Sequence, residues 1–221
     1  AHQSKYFYVG CDETYVLGKC PNCHAKANKS GKSRLYVEYL AKILAIVNKM
    51  GKQPLCPADM LLKYPEAAKF LPKNTILIDW NYGWKPTHFG DPQKLYDAGF
   101  EFWGSLALRS GPDNYYLLSW EKHLNNYRDF IPYSRKHNYQ GIVLTSWSTS
   151  GIYGFEWDAF YEPIAMHPIR RVYPLKGFNI LLAAFNKALS HDEIFDPKSF
   201  VIDYVKKHFG LSDKNATHFY N

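Results

Sequence analysis

The sequence predicts a parallel α/β protein, and three observations predict it. Five short apolar runs recur along the 221 residues, at positions 6–9, 53–60, 75–80, 101–108 and 141–147. Helical patterns separate them, as parallel neighbours require, because a parallel connection needs a crossover of a dozen or more residues. The runs are near-continuously apolar, which marks strands buried on both faces.

The first run ends in Gly10-Cys11-Asp12-Glu13, and a polar loop leads from it to a helix. That helix carries apolar residues at Leu35, Tyr36, Tyr39, Leu40, Ile43, Leu44 and Val47, a 3.6-residue pattern that stops at Gly51. A second buried run precedes a helical segment at 66–70, and Thr75-Ile-Leu-Ile-Asp79-Trp80 reads as a buried strand. A short helix is expected at 92–98, and longer ones at 120–136, 173–189 and 197–209.

An open doubly wound sheet and a closed barrel share this grammar, so the position of the unusual residues decides between them. Asp12-Glu13, Asp59, Asp79-Trp80, Arg109 and Trp147 all stand at or just after a strand end, where barrels assemble their sites. No strand is followed by the G-x-G-x-x-G of a dinucleotide fold. The predicted fold is an α/β, (β/α)8 TIM barrel. Five strands do not close it, so the first strands are expected upstream of Ala1, in a longer polypeptide.

Composition bounds the function. Apolar residues make up 46% and aromatics 17%, with eighteen Tyr and six Trp, enough for a packed core and for rings on which a sugar face can stack. A merely Tyr-rich core has the same composition. The net charge is +7, but the basic residues are scattered; the densest run, Lys26, Lys29, Lys32 and Arg34, reads as a solvated helix entrance, so no nucleic-acid partner is expected. Nothing approaches the roughly 20 apolar residues of a membrane span. A soluble protein is expected, its compartment open between cytoplasm and export or lysosome.

The four cysteines are Cys11, Cys20, Cys23 and Cys56. Cys20-Pro-Asn-Cys23-His24 has the spacing of half a zinc site, for which Cys11 and Cys56 would have to supply the rest, or of a redox or disulfide pair, or of two plain loop thiols. Asn28 and Asn215 begin N-x-[ST] sequons.

The chemistry gathers at strand ends. Adjacent carboxylates within a strand point to opposite faces, so Asp12 and Glu13 can share a site only where the strand gives way to its loop. Two carboxyls so placed disfavour double ionisation, leaving one protonated as a general acid. A lone Asp-Glu pair is equally the mark of a surface turn. Ser146-Trp-Ser148 lacks the G-x-S-x-G elbow of a serine hydrolase.

An ordered series surrounds the pair: Tyr8-Val-Gly10-Cys-Asp12-Glu13, Leu17-Gly18, Pro54 with Asp59-Met60-Leu61, Trp80 with Tyr82, and Gly141-Ile-Val-Leu-Thr145-Ser-Trp147. This series resembles the family 20 glycoside hydrolases, the β-N-acetylhexosaminidases, and looks closest to their hexosaminidase D-like branch. The resemblance implies that residues 1–221 form the C-terminal part of the catalytic domain, roughly strands 4 to 8 plus the C-terminal helices.

It further implies an exo-acting, retaining, cofactor-free enzyme that removes terminal GlcNAc or GalNAc from a carbohydrate partner. The substrate's own 2-acetamido oxygen attacks the anomeric carbon in that family, an exception to the two-carboxylate rule. Glu13 would be the general acid/base and Asp12 the residue orienting the acetamide. Trp80 and Trp147 would wall the sugar site, with Asp59 and Tyr82 beside them and Glu162 on sugar hydroxyls. Tyr115 or Tyr116 would bind the acetamide carbonyl, and Arg109 would bind an anionic sugar group or pair with Asp113.

Three positions depart from the family pattern: Tyr8 stands where the family has His, Cys56 or Pro57 where it has a Trp, and the Tyr that binds the acetamide carbonyl has no single match, Tyr115 and Tyr116 both lying in its region. These departures leave an alternative, a non-catalytic or altered-specificity carbohydrate-binding relative of the same fold.

Overall fold

The computed structural model describes residues 3–110, 118–146, 177–191 and 194–221. Its sheet has five strands, β1 (Tyr6–Tyr8), β2 (Gln53–Pro57), β3 (Ile76–Trp80), β4 (Glu101–Arg109) and β5 (Gly141–Ser146), in the spatial order β1-β2-β3-β4-β5. The first three pairings are parallel, with Tyr8 beside Leu55, Pro57 beside Ile78 and Trp80 beside Ser105. Spatial order thus follows chain order without the reversal that marks a doubly wound sheet. A partial barrel winds this way.

The chain divides into two units. The first comprises the chain through Trp80, Thr87–Ser105 and Asn138–Ile142. Its helices are α1 (Pro21–Ser30), α2 (Lys32–Lys49), α3 (Asp59–Lys63) and α4 (Gln93–Asp97), with a 3-10 turn at Pro65–Phe70. Alternation along the strands sorts the side chains onto two faces. On one, Cys56, Leu77 and Phe102 pack with Tyr36, Val37, Leu40 and Leu44 of α2 and with Leu61 and Leu95. On the other, Leu55, Ile76 and Ile78 pack with Tyr6 and Trp103. Each fully buried Leu contributes roughly 1.5–3 kcal/mol, so α2 is held by its apolar stripe.

The second unit comprises Asn81–Pro86, Leu106–His137 and the described residues from Val143 onward. Here α5 (Trp120–Lys136) packs with α6 (Gly177–Ser190) and α7 (Pro197–Phe209), and α8 (Asp213–Tyr220) packs on α7. Tyr127 of α5 meets Phe185 of α6 edge-on, ring centres 5.6 Å apart. The Arg135 guanidinium donates to the carbonyls of Ala188, Leu189 and His191 at 3.2, 2.8 and 2.8 Å. A cation there satisfies the last carbonyls of α6 and complements its dipole.

Three helices go beyond the sequence expectation, among them α3, which starts inside the buried run expected at 53–60. Residues 21–30, expected as a polar loop, form α1, started by Pro21 at its first position and by the Cys20 cap. The end of the chain forms α8, capped by the Ser212 hydroxyl on the Asn215 N–H at 3.4 Å. Both sequon asparagines, Asn28 and Asn215, therefore lie on helices. The expected strand from 141 is ordered through Ser146, and its end at Trp147 lies outside the described residues. Among the described residues no helix is long and apolar enough to cross a membrane.

Candidate active site

The site is built from the end of β1. Gly10, Cys11 and Glu13 all have positive φ, +66°, +80° and +47°. Glycine adopts that region freely, whereas each non-glycine residue there is strained. Such strain persists only where neighbours over-determine it, and three hydrogen bonds do so here. The Val9 N–H donates to Leu55 O of β2 at 2.9 Å. The Tyr36 hydroxyl of α2 donates to Cys11 O at 3.0 Å. The Glu13 N–H donates to Asp59 Oδ2 at the start of α3, at 3.2 Å.

This anchoring sets three carboxylates at close quarters with different exposures. Glu13 is exposed and Asp12 half-buried, while Asp59 is only 2% exposed beneath them. Burial pushes the Asp59 carboxyl above the ordinary aspartate range; the Glu13 and Met60 N–H groups pull it down, the charge of Asp12 adds to the rise, and Lys63 opposes it. Asp59, expected to touch substrate, thus holds the backbone of Glu13 in this structure.

Two neighbours went unseen in the sequence. The Tyr15 phenol is raised above its usual range, chiefly because it hydrogen-bonds the Glu13 carboxylate, although its ring is 71% exposed. The Thr14 hydroxyl is buried and has no hydrogen-bond partner among the described residues. Neither carries a sequence signal, since an exposed Tyr and a loop Thr are common.

Trp80 ends β3 on the same face as Ile76 and Ile78 by alternation. Its ring meets Phe89 at 4.5 Å, and His88 meets Phe89 edge-on at 4.9 Å. Gly90 makes that placement possible. Its φ is +145°, and a Cβ there would come within 2.5 Å of Leu62 O in α3. The aromatic wall at Trp80 therefore extends to Phe89, a residue that no local sequence pattern marks.

Asp79 has a different fate from its neighbour. Alternation turns it to the helix-facing side with Leu77, where it is 3% exposed and accepts the Tyr139 hydroxyl at 2.6 Å. Burial pushes its carboxyl up to about 7, against the pull of that hydrogen bond. Tyr139 stacks on Phe102, and Phe102 on Tyr96. Asp79 is a strand-end acid that belongs to the core.

In the second unit, Asn81 organises the loop that follows β3. Its amide donates to Trp84 O and Lys85 O at 3.0 and 3.3 Å, while its Oδ1 accepts from the Gly83 N–H and from Asn126 at 3.0 and 2.9 Å. Tyr82 and Trp84 are presented from this loop with ring centres 5.7 Å apart. Arg109 closes β4 and is buried, and beside it Ser110 takes a hydrogen bond from Lys122 at 2.9 Å. Tyr115, Trp147 and Glu162 lie outside the described residues.

Of the three departures from the family pattern two fall on described residues: Tyr8 is 52% exposed, and Cys56 and Pro57 are buried. The zinc grouping of Cys20, Cys23, His24 and Cys56 does not assemble. Cys56 is buried in β2 while Cys20 is exposed at α1, and no cluster of three ligands occurs among the described residues. All four cysteines are free thiols, so Cys20 and Cys23 are not bridged.

No protein-family model matches the chain. It is 24% identical over 159 residues to hexosaminidase D from Bos taurus, which covers 65% of this chain and 46% of that protein. Among solved structures, a β-N-acetylhexosaminidase from Bacteroides fragilis superposes with a TM-score of 0.55 at 18% identity, over 94% of this chain and 40% of its own. The tandem GH20 catalytic modules of the pneumococcal exo-β-D-N-acetylglucosaminidase give a TM-score of 0.50 at 15% identity, over 97% of this chain and 55% of theirs. The chain thus spans about half the length of the curated relative it matches.

Proposed function

We propose that this chain, a hexosaminidase-like relative of family 20 at modest identity, carries the acid/base machinery of an exo-acting, retaining β-N-acetylhexosaminidase. The observation that carries the reading is Glu13 at φ +47°, exposed at a strand end, with its N–H tied to a buried carboxylate. Strain over-determined by three separate elements is what a positioned catalytic group needs, and a surface turn has no use for it.

In this reading Glu13 protonates the glycosidic oxygen and later takes a proton from the attacking water. Asp12 orients the substrate's 2-acetamido group, whose carbonyl oxygen attacks the anomeric carbon. Asp59 is a positioning residue: it holds the Glu13 backbone and, with Asp12, sets the local negative field. Tyr15 orients the Glu13 carboxylate. Trp80 offers an apolar face for the sugar ring, with Phe89 behind it, and Tyr82, Arg109, Trp147, Tyr115 and Glu162 are the further substrate-binding residues of this reading.

The deciding experiment is Glu13→Gln assayed on an aryl β-N-acetylglucosaminide. Release of the aryl group is expected to fall, external azide is expected not to restore it, and a thiazoline mimic of the cyclised intermediate is expected to inhibit the parent protein. Turnover that survives the substitution would sink the reading. Sugar binding without turnover by the unsubstituted protein would favour the non-catalytic relative, the reading to which the exposed Tyr8 and buried Pro57 point.

A further inference from the structure

Nothing in that mechanism uses Cys20 and Cys23, yet the fold builds a particular arrangement around them. Cys20 is the cap of α1, with extended backbone at φ −74° and ψ 153°, and its sulfur accepts the Cys23 N–H at 3.2 Å. The sulfur occupies the place that a Ser or Asp oxygen usually takes. Pro21 fixes the first helical position, and the His24 N–H closes the first turn on Cys20 O at 2.8 Å. The pair therefore stands one turn apart on the same edge of the helix start, with Cys20 exposed and Cys23 half-buried.

The other two cysteines are built differently. Cys56 is fully buried, Cys11 is packed against the same core, and burial is the main cause that raises both thiols. At α1 the sense is split. Cys20 is lowered, chiefly by its hydrogen bond with the Cys23 side chain, and Cys23 is raised by the same bond. An exposed thiol that accepts a first-turn N–H, followed one turn on by a half-buried one, is the division of labour that thiol–disulfide exchange requires.

We infer that Cys20 and Cys23 form a dithiol site that exchanges with small-molecule disulfides, with Cys20 as the attacking sulfur and Cys23 as the resolving one. The Cys20 thiolate attacks one sulfur of a disulfide such as glutathione disulfide, whose S–S bond breaks to release a thiolate that takes up a proton. Cys23 then gives up its proton and attacks the Cys20 sulfur of the mixed disulfide, which expels the second thiol. The products are one Cys20–Cys23 disulfide and two small thiols, and two electrons have passed from the pair to the external disulfide. The site is fastened to the loop that runs on from Glu13, since buried Gly18 of that loop faces Ala27 of α1, where a Cβ would lie 3.3 Å from the alanine methyl.

The test equilibrates the 221-residue chain in glutathione buffers of stepped oxidised-to-reduced ratio, traps free thiols with iodoacetamide and reads the peptides by mass spectrometry. The Cys20–Cys23 peptide is expected to lose two hydrogens with the steepness of a two-electron couple, while Cys11 and Cys56 remain reduced. Cys23→Ser is expected to accumulate glutathione on Cys20. Cys20→Ser is expected to modify at Cys23 severalfold more slowly than Cys23→Ser does at Cys20, because Cys23 is half-buried where Cys20 is exposed. A pair that stays reduced across the series, equal modification of the two variants, or alkylation of Cys20 no faster than that of Cys11 would overturn the proposal.

Discussion

Two strand ends in the first unit carry an acid in a similar sequence setting and put it to opposite uses. After β1, Glu13 is exposed on a loop strained at two positions, Cys11 and Glu13 itself. In β3, Asp79 is buried under Tyr139 in regular backbone, one residue before Trp80. The difference arises from the pleat. Asp79 is still inside the strand, so its side chain must take the face that alternation dictates, and that face meets the helices. Glu13 comes after the strand has been broken by Gly10, so anchors supplied by other elements choose its direction. A carboxyl at a strand end is therefore informative only once the last regular residue is known.

Substitutions can break this contrast. The largest expected effect is Glu13→Gln, a loss of about 10²–10⁴-fold in turnover, the range of a general acid, with unchanged thermal stability by calorimetry. The mirror result is expected at Asp79. Its folded-state carboxyl is raised to about 7, so the native state holds a proton that the unfolded chain has released between roughly pH 4 and 7. The stability contributed is full below the unfolded value and is lost as pH rises through the folded one. Asp79→Asn should abolish this decline, leaving the variant more stable than the parent at pH 8 by on the order of a few kcal/mol, and urea unfolding at pH 4 and pH 8 checks it. A gap that stays the same at both pH values would break the contrast.

Two smaller effects sharpen it. Asp59→Asn should lower kcat by on the order of ten- to a hundredfold through misplacement of Glu13, with KM little changed. A KM effect alone would instead make Asp59 a substrate contact. Tyr139→Phe removes the hydrogen bond that favours ionised Asp79, so it should cost about 1 kcal/mol and move the Asp79 titration further upward. Denaturation followed against pH would show both.

Much of the fold was legible in the sequence because the signals were long. The helices at 120–136 and 197–209 appear with the boundaries their apolar periodicity predicted, and the five strands stand where the apolar runs lie. Helices α1 and α8 were not legible. Residues 21–30 bury no side chain, so periodicity had nothing to register, and the signal was only a cap followed by Pro21. The aromatic surroundings of Trp80 were legible only in part. Trp80 stands at its strand end, but Phe89 reaches it through a glycine contact between segments distant in sequence, which no local pattern encodes.

The sequence by itself determined the alternation of strands and helices, the strand at whose end the Asp12-Glu13 pair falls, and the likeness to family 20. Those properties follow from hydrophobic period and residue order, which are local. Only the tertiary structure decided that Glu13 is held by Asp59, that Asp79 serves the core, and that Cys20 and Cys23 share a helix start apart from Cys56. Each of these depends on direction: which face a side chain takes and which distant backbone meets it. That is settled when the elements pack.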